Sequence, residues 1–133
     1  MQCYEMLLPY FRYYRDEETS DNFSWWFCVL DENIYETNDI YKEFGYTSIC
    51  DICDSGKFIE LYKVDIIETK KVFLKQYHPK SQILNIEHDG EFDIAFNSFI
   101  ETSSSLDTWQ EYEKAVLESA LLKWSSDNNI IIY

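Results

Sequence analysis

Three features of the sequence predict an α+β fold, a mostly antiparallel sheet with two main helices packed on one face. Two stretches, residues 65–77 and a longer one starting at Asp107, carry apolar residues at helical spacing. Several shorter segments instead alternate, or combine aromatic and β-branched side chains that suit a pleated sheet. Finally, 133 residues with 46% apolar composition suffice for one core, so residues 1–133 are expected to form a single domain. A chain of that length buries roughly two-thirds of its unfolded surface and needs neither disulfide nor metal to fold.

Along the chain, residues 4–15 are rich in Tyr, Phe and Leu, but Pro9 argues against a central strand or a helix interior there. Residues 16–22 are polar and read as a loop. Residues 23–30 contain Trp25, Trp26, Phe27 and Val29 and read as a strand. It could form a hairpin with residues 4–15 across the acidic loop. Residues 31–39 turn acidic again. Residues 40–44 then make a short helical turn, ended by Gly45 as a left-handed cap. Residues 49–53 and 57–63 are candidate strands around an Asp54-Ser55-Gly56 turn.

In residues 65–77, Ile66, Ile67, Phe73, Leu74 and Tyr77 share a stripe. Asp65 and Glu68 form a capping-box pattern, Lys70, Lys71 and Lys75 complement the helix dipole, and Pro79 ends the element. Residues 83–87 and 91–97 alternate and predict a hairpin. A three-residue loop of His88, Asp89 and Gly90, with Gly90 at the left-handed bulge position, sets Ile86 opposite Phe92 and Leu84 opposite Ile94. Glu87 then opposes Glu91 on an acidic face turned away from the helices. From Asp107, with Gln110 at the capping-box position, the residues Trp109, Tyr112, Val116, Leu117, Ala120, Leu121 and Trp124 mark the longest helix. Residues 127–129 stop it, and residues 130–133 are apolar enough to return as a short strand.

Charge is the strongest compositional signal. The chain has 25 acidic and 11 basic residues, a net of -14. Such a field repels nucleic-acid phosphates and anionic membranes and attracts basic proteins. Residues 1–60 hold 13 acidic and 4 basic residues, against 12 and 7 in residues 61–133. Acidic loops flank the Trp25-Trp26 segment, so Glu17, Glu18, Trp25, Trp26, Asp31, Glu32, Glu36 and Asp39 form the first candidate partner-binding set. Rings and carboxylates together suit Arg and Lys from a partner. The bland alternative places both tryptophans in the core, or splits them between the faces of one strand. The second candidate patch is Glu87, Asp89, Glu91 and Asp93 on the hairpin.

Catalytic and metal motifs are sparse. The two histidines, His78 and His88, have no nucleophile motif beside them, and no glycine-rich phosphate loop exists. Cys50-Asp51-Ile52-Cys53 is a single CxxC. Zinc binding would require a second ligand pair, and a thioredoxin-like role would require a βαβ setting. Asp51, Asp54 and Gly56 do not keep the register of a calcium loop. No catalytic residue, metal ligand or cofactor is therefore expected, and the protein is expected to bind rather than catalyse. No stretch approaches the ~20 apolar residues of a membrane span. The N-terminal residues lack the basic region of a signal peptide. A cytoplasmic chain with Cys3, Cys28, Cys50 and Cys53 as thiols follows.

Small acidic α+β chains without catalytic motifs resemble the immunity proteins of bacterial toxin–immunity systems. The segment Phe73-Leu74-Lys75-Gln76-Tyr77-His78-Pro79, followed by residues 83–96, is similar to a helix-then-hairpin stretch in some of them. The resemblance implies a direct inhibitory complex with a cognate toxin, a basic protein such as a nuclease. It carries over no functional residue, because these families bind through divergent surfaces. Two other readings are a phage-type inhibitor or nucleic-acid mimic that blocks a defence or DNA-binding protein, and a small metal-binding or redox protein using Cys50 and Cys53.

Overall fold

Helices dominate the chain. The computed structural model describes residues 4–14 and 24–132. The fold is α+β, but the sheet content is small and divided. The helices among the described residues are α1 (Tyr4–Leu7), α2 (Thr37–Phe44), α3 (Ile49–Asp54), α4 (Ile66–Tyr77), α5 (Asp89–Thr102) and α6 (Leu106–Asn128). The strands are β1 (Arg12–Tyr13), β2 (Trp25–Cys28), β3 (Ile34–Glu36), β4 (Phe58–Glu60) and β5 (Val64–Asp65). Short 3-10 turns occupy Leu8–Phe11 and Gln82–Asn85.

β2 is the centre of an antiparallel three-stranded sheet, in the order β3-β2-β4. Its register sets Trp26 between Tyr35 and Glu60, and Phe27 between Ile34 and Ile59. The period of two sends Trp26 and Cys28 to one side, where they pack with Ile40 of α2, Ile52 of α3 and Phe58. Phe27 points to the other side, into a cluster with Leu7, Phe11, Leu117, Leu121 and Trp124. Helices thus cover both faces of this sheet, which corrects the expectation of two helices on one face. Among the described residues, the expected hairpin between residues 4–15 and 23–30 does not form either. Arg12 and Tyr13 pair in parallel with Val64 and Asp65 instead.

The largest correction concerns residues 83–97. They form the 3-10 turn and most of α5, not a hairpin, so Gly90 lies inside a helix and Glu87 does not oppose Glu91. Phe92, Ile94 and Phe96 fit a strand's period of two, but Phe92, Phe96 and Ile100 also fit a helical stripe. Packing selects the helix. Those three side chains are buried, while Ile94 is 74% exposed. The stripe meets Phe73 of α4 and Trp109 of α6, with the Phe96 ring 6.1 Å from Phe73 and 5.0 Å from Trp109. Asp89 and Glu91 lie in the first turn, where the helix dipole favours acids.

Residues 49–53 are likewise helical, not a strand. The Ser48 side chain accepts from the Asp51 amide at 3.1 Å, an N-cap that starts α3. Other expectations hold. The Asp65 carboxylate accepts from the Glu68 amide at 3.1 Å to cap α4. Gly45 closes α2 at φ 76°. α6 ends at Asn129, in the left-handed region. Residues 130–132 form no strand, but Ile130 and Ile132 pack against the cluster around Trp124. α6 spans two cores: Trp109 serves the α4–α5 cluster, and Leu117, Leu121 and Trp124 serve the sheet.

Candidate functional site

The turn between β2 and β3 is built from Val29, Leu30, Asp31 and Glu32. The Cys28 amide donates to the Asn33 carbonyl at 2.9 Å, and the Glu32 amide to the Cys28 carbonyl at 2.9 Å. Closing four residues this way puts Glu32 in the left-handed region, at φ 61°. That conformation favours Gly or Asn over Glu. Leu30 is 72% exposed at the tip, and Val29 is exposed beside it. Asp31 folds back, accepting from the Asn33 amide at 3.0 Å and from the Tyr35 hydroxyl. The Tyr35 hydrogen bond, helped by the Asn33 amide and the Cys28 thiol, holds the Asp31 carboxyl below its ordinary value. The same bond pushes the Tyr35 phenol up, and the Asp31 and Glu43 charges add to it.

Tyr35 belongs to an aromatic group that α2 completes. Its ring lies edge-on to Phe44 at 5.4 Å and to Phe58 at 6.0 Å, and Phe44 meets Phe58 at 5.1 Å. Phe44 remains partly exposed. Thr37 fixes α2 to the sheet. Its buried hydroxyl donates to the Ser24 carbonyl at 3.1 Å and accepts from the Ser24 amide at 3.0 Å and from the Trp26 indole N–H at 2.9 Å. At one end of the sheet, Asp31 bonds the Tyr35 hydroxyl, the Glu43 charge reaches the same phenol, and Glu32 follows Asp31 in the turn that exposes Leu30. Charge-bearing and apolar contact surface thus coexist there, a combination that can hold a cationic side chain by its charge and its stem.

The first predicted set is not brought together as one patch. Trp26 is only 1% exposed and belongs to the core, so it is corrected as a contact residue. Trp25 points to the opposite side of β2, against Tyr10 at 4.9 Å. Glu36 is its register partner and sits on that side too. Asp39 is exposed in the first turn of α2. Glu17 and Glu18 lie outside the described residues. Sequence reasoning missed Tyr35, Glu43 and Phe44. The helical turn before Gly45 contained the signal for Phe44, since Ile40 and Phe44 are four apart on one face.

The second patch also changes character. Asp93 pairs with Lys70, and Asp89 lies 3.8 Å from Lys71, so two of its four carboxylates face cations. Lys70 is only 4% exposed, with Asn97 Oδ1 at 3.1 Å and the Phe96 ring at 5.1 Å. Glu87 and Glu91 are exposed. Cys50 and Cys53 are exposed free thiols on α3. Among the described residues, no group of three or more His, Cys, Asp and Glu side chains could hold a metal ion. No helix among them is long and apolar enough to cross a membrane.

Comparison with protein-family models, with characterised proteins and with solved structures finds no match to the chain.

Proposed function

We propose that the protein works by binding a basic protein and blocking it, in the manner of an immunity protein that neutralises a cognate toxin, and that it is not an enzyme. The observation that carries this reading is the end of the sheet where Asp31, Glu32 and Glu43 lie beside Leu30, Tyr35 and Phe44. Carboxylates there draw in a basic surface, and the rings and the leucine supply the desolvated contact that charge alone lacks. The net charge of -14 strengthens the long-range attraction.

The test is capture of a basic partner from the native cell, followed by association kinetics on charge-reversed variants. Changing Asp31→Lys together with Glu32→Lys should slow association by roughly tenfold at low salt, with the loss shrinking as salt rises. Glu87→Lys with Glu91→Lys makes the same change in net charge on α5 and its approach, and should cost much less. Equal losses from both pairs would reduce the role of charge to a general field. Loss from the second pair alone would move the site to α5.

A further inference from the structure

We propose that Cys50 and Cys53 are a redox modification site, a dithiol that a low-molecular-weight disulfide converts reversibly to an intrahelical disulfide. The inference is independent of the partner-binding reading. α3 places the two cysteines three residues apart, adjacent on one helix face, and both are exposed. Ile52, between them in sequence, points the other way and is fully buried beside Phe58 and Trp26. The buried isoleucine therefore holds the helix against the sheet while the thiols face outward together.

Helical neighbours at this spacing have Cβ atoms about 5–6 Å apart, whereas a disulfide needs roughly 3.5–4.5 Å. α3 can supply that closure, because it is six residues long and already loosens at its end. There the Ser55 amide reaches Asp51, the Gly56 amide reaches Cys53, and Gly56 turns left-handed at φ 70°. Closing the ring tightens this turn and leaves strain in the product, so the disulfide is readily reduced again. Burial, followed by the charges of Glu60, Cys50 and Asp54, pushes the Cys53 thiol up. A raised value lowers the thiolate fraction of Cys53 and so slows its attack, a loss that its position next to the Cys50 sulfur offsets.

In the first step, the Cys50 thiolate attacks one sulfur of the small disulfide. The S–S bond breaks, a mixed disulfide forms on Cys50 and one thiolate leaves. Cys53, after losing its proton, attacks the Cys50 sulfur and expels the second thiolate. The two cysteine sulfurs lose two electrons in total, the small disulfide gains them, and the two cysteine protons go to the departing thiolates.

The experiment uses full-length protein carrying Cys3→Ser, treated with oxidised glutathione, alongside versions that add Cys50→Ser or Cys53→Ser. The expected product of the first is a chain lighter by two hydrogens, with peptide mapping joining Cys50 to Cys53 and dithiothreitol restoring the original mass. Each serine version should instead accumulate a glutathione adduct on its remaining exposed thiol. Circular dichroism confirms that all three are folded before treatment. Glutathione adducts without an internal cross-link in the first protein would overturn the proposal, as would a cross-link to Cys28 or thiols that remain free.

Discussion

Replacing Thr37 by valine keeps the shape of the side chain and removes one oxygen, and the structure says what that oxygen holds. Two N–H groups, the Ser24 amide and the Trp26 indole, donate to it, and neither has water access, since Ser24 is 3% and Trp26 1% exposed. The Ser24 carbonyl still accepts from the Thr37 amide at 3.1 Å, so it is not left alone. A buried donor without a partner costs about 1–3 kcal/mol, and removing the hydroxyl's own desolvation offsets part of the sum. A net loss of about 2–3 kcal/mol is expected for Thr37→Val, read from urea or thermal unfolding. Thr37→Ser keeps the oxygen and loses a methyl, so it should cost about 1 kcal/mol or less. The indole N–H of Trp26 should also exchange with solvent faster in the valine variant. A valine variant within about 0.5 kcal/mol of the parent, or a serine variant as damaging as valine, would refute the argument that this hydroxyl pins α2 to β2.

Other expectations follow from the same geometry. Glu32→Gly relieves a left-handed residue worth ~1–2 kcal/mol and adds the chain entropy of glycine, so folding should gain about 0.5–1 kcal/mol; partner affinity should fall, and a variant that gains on both counts would remove Glu32 from the site. Tyr35→Phe should move the Asp31 titration up towards the ordinary carboxylate range, observable by carbon-13 NMR of its carboxyl. The sign is fixed by linkage. Asp31 is depressed in the fold, so its contribution is present above about pH 4 and is lost as pH falls through the folded value. Tyr35 is raised, so its contribution is present below about pH 10 and is lost as pH rises through its folded value. Removing the hydroxyl should abolish the Tyr35 dependence and shrink that of Asp31 to what the Asn33 amide and the Cys28 thiol sustain. Lys70→Met leaves Asp93 without its cation and should cost about 2–3 kcal/mol, less than for a wholly buried pair because Asp93 keeps some solvent. Adding Asp93→Leu should recover most of that loss in denaturant unfolding, and no recovery would show that Lys70 acts through the Phe96 ring instead.

Local chemistry made part of this fold legible. α4 was readable from end to end because its signals agree: Asp65 and Glu68 at the start, a stripe through Phe73 and Leu74, and Pro79 after the end. Gly45 marked the end of α2 because a left-handed residue there needs no side chain. The α6 stripe was readable for the same reason, since 23 residues leave helical periodicity little ambiguity. At the candidate site, Asp31 and Glu32 were legible as acids, but the relation of Asp31 to Tyr35 and the part of Glu43 and Phe44 were not.

Composition and short-range pattern thus determined the acidic charge, the mixed α and β character and the elements whose caps and stripes agree. Tertiary structure decided residues 83–97, because Phe92 and Phe96 fit a strand's period with Ile94 and a helix's stripe with Ile100 until Phe73 and Trp109 offer a surface to only one of the two patterns. It also decided that helices cover both faces of the three-stranded sheet. Alternation sends Trp26 and Phe27 to opposite sides, but burial of both depends on α2, α3 and α6 arriving from elsewhere in the chain. Side-chain period is a local property of the backbone. Which face meets water is settled only by contacts between residues far apart in sequence.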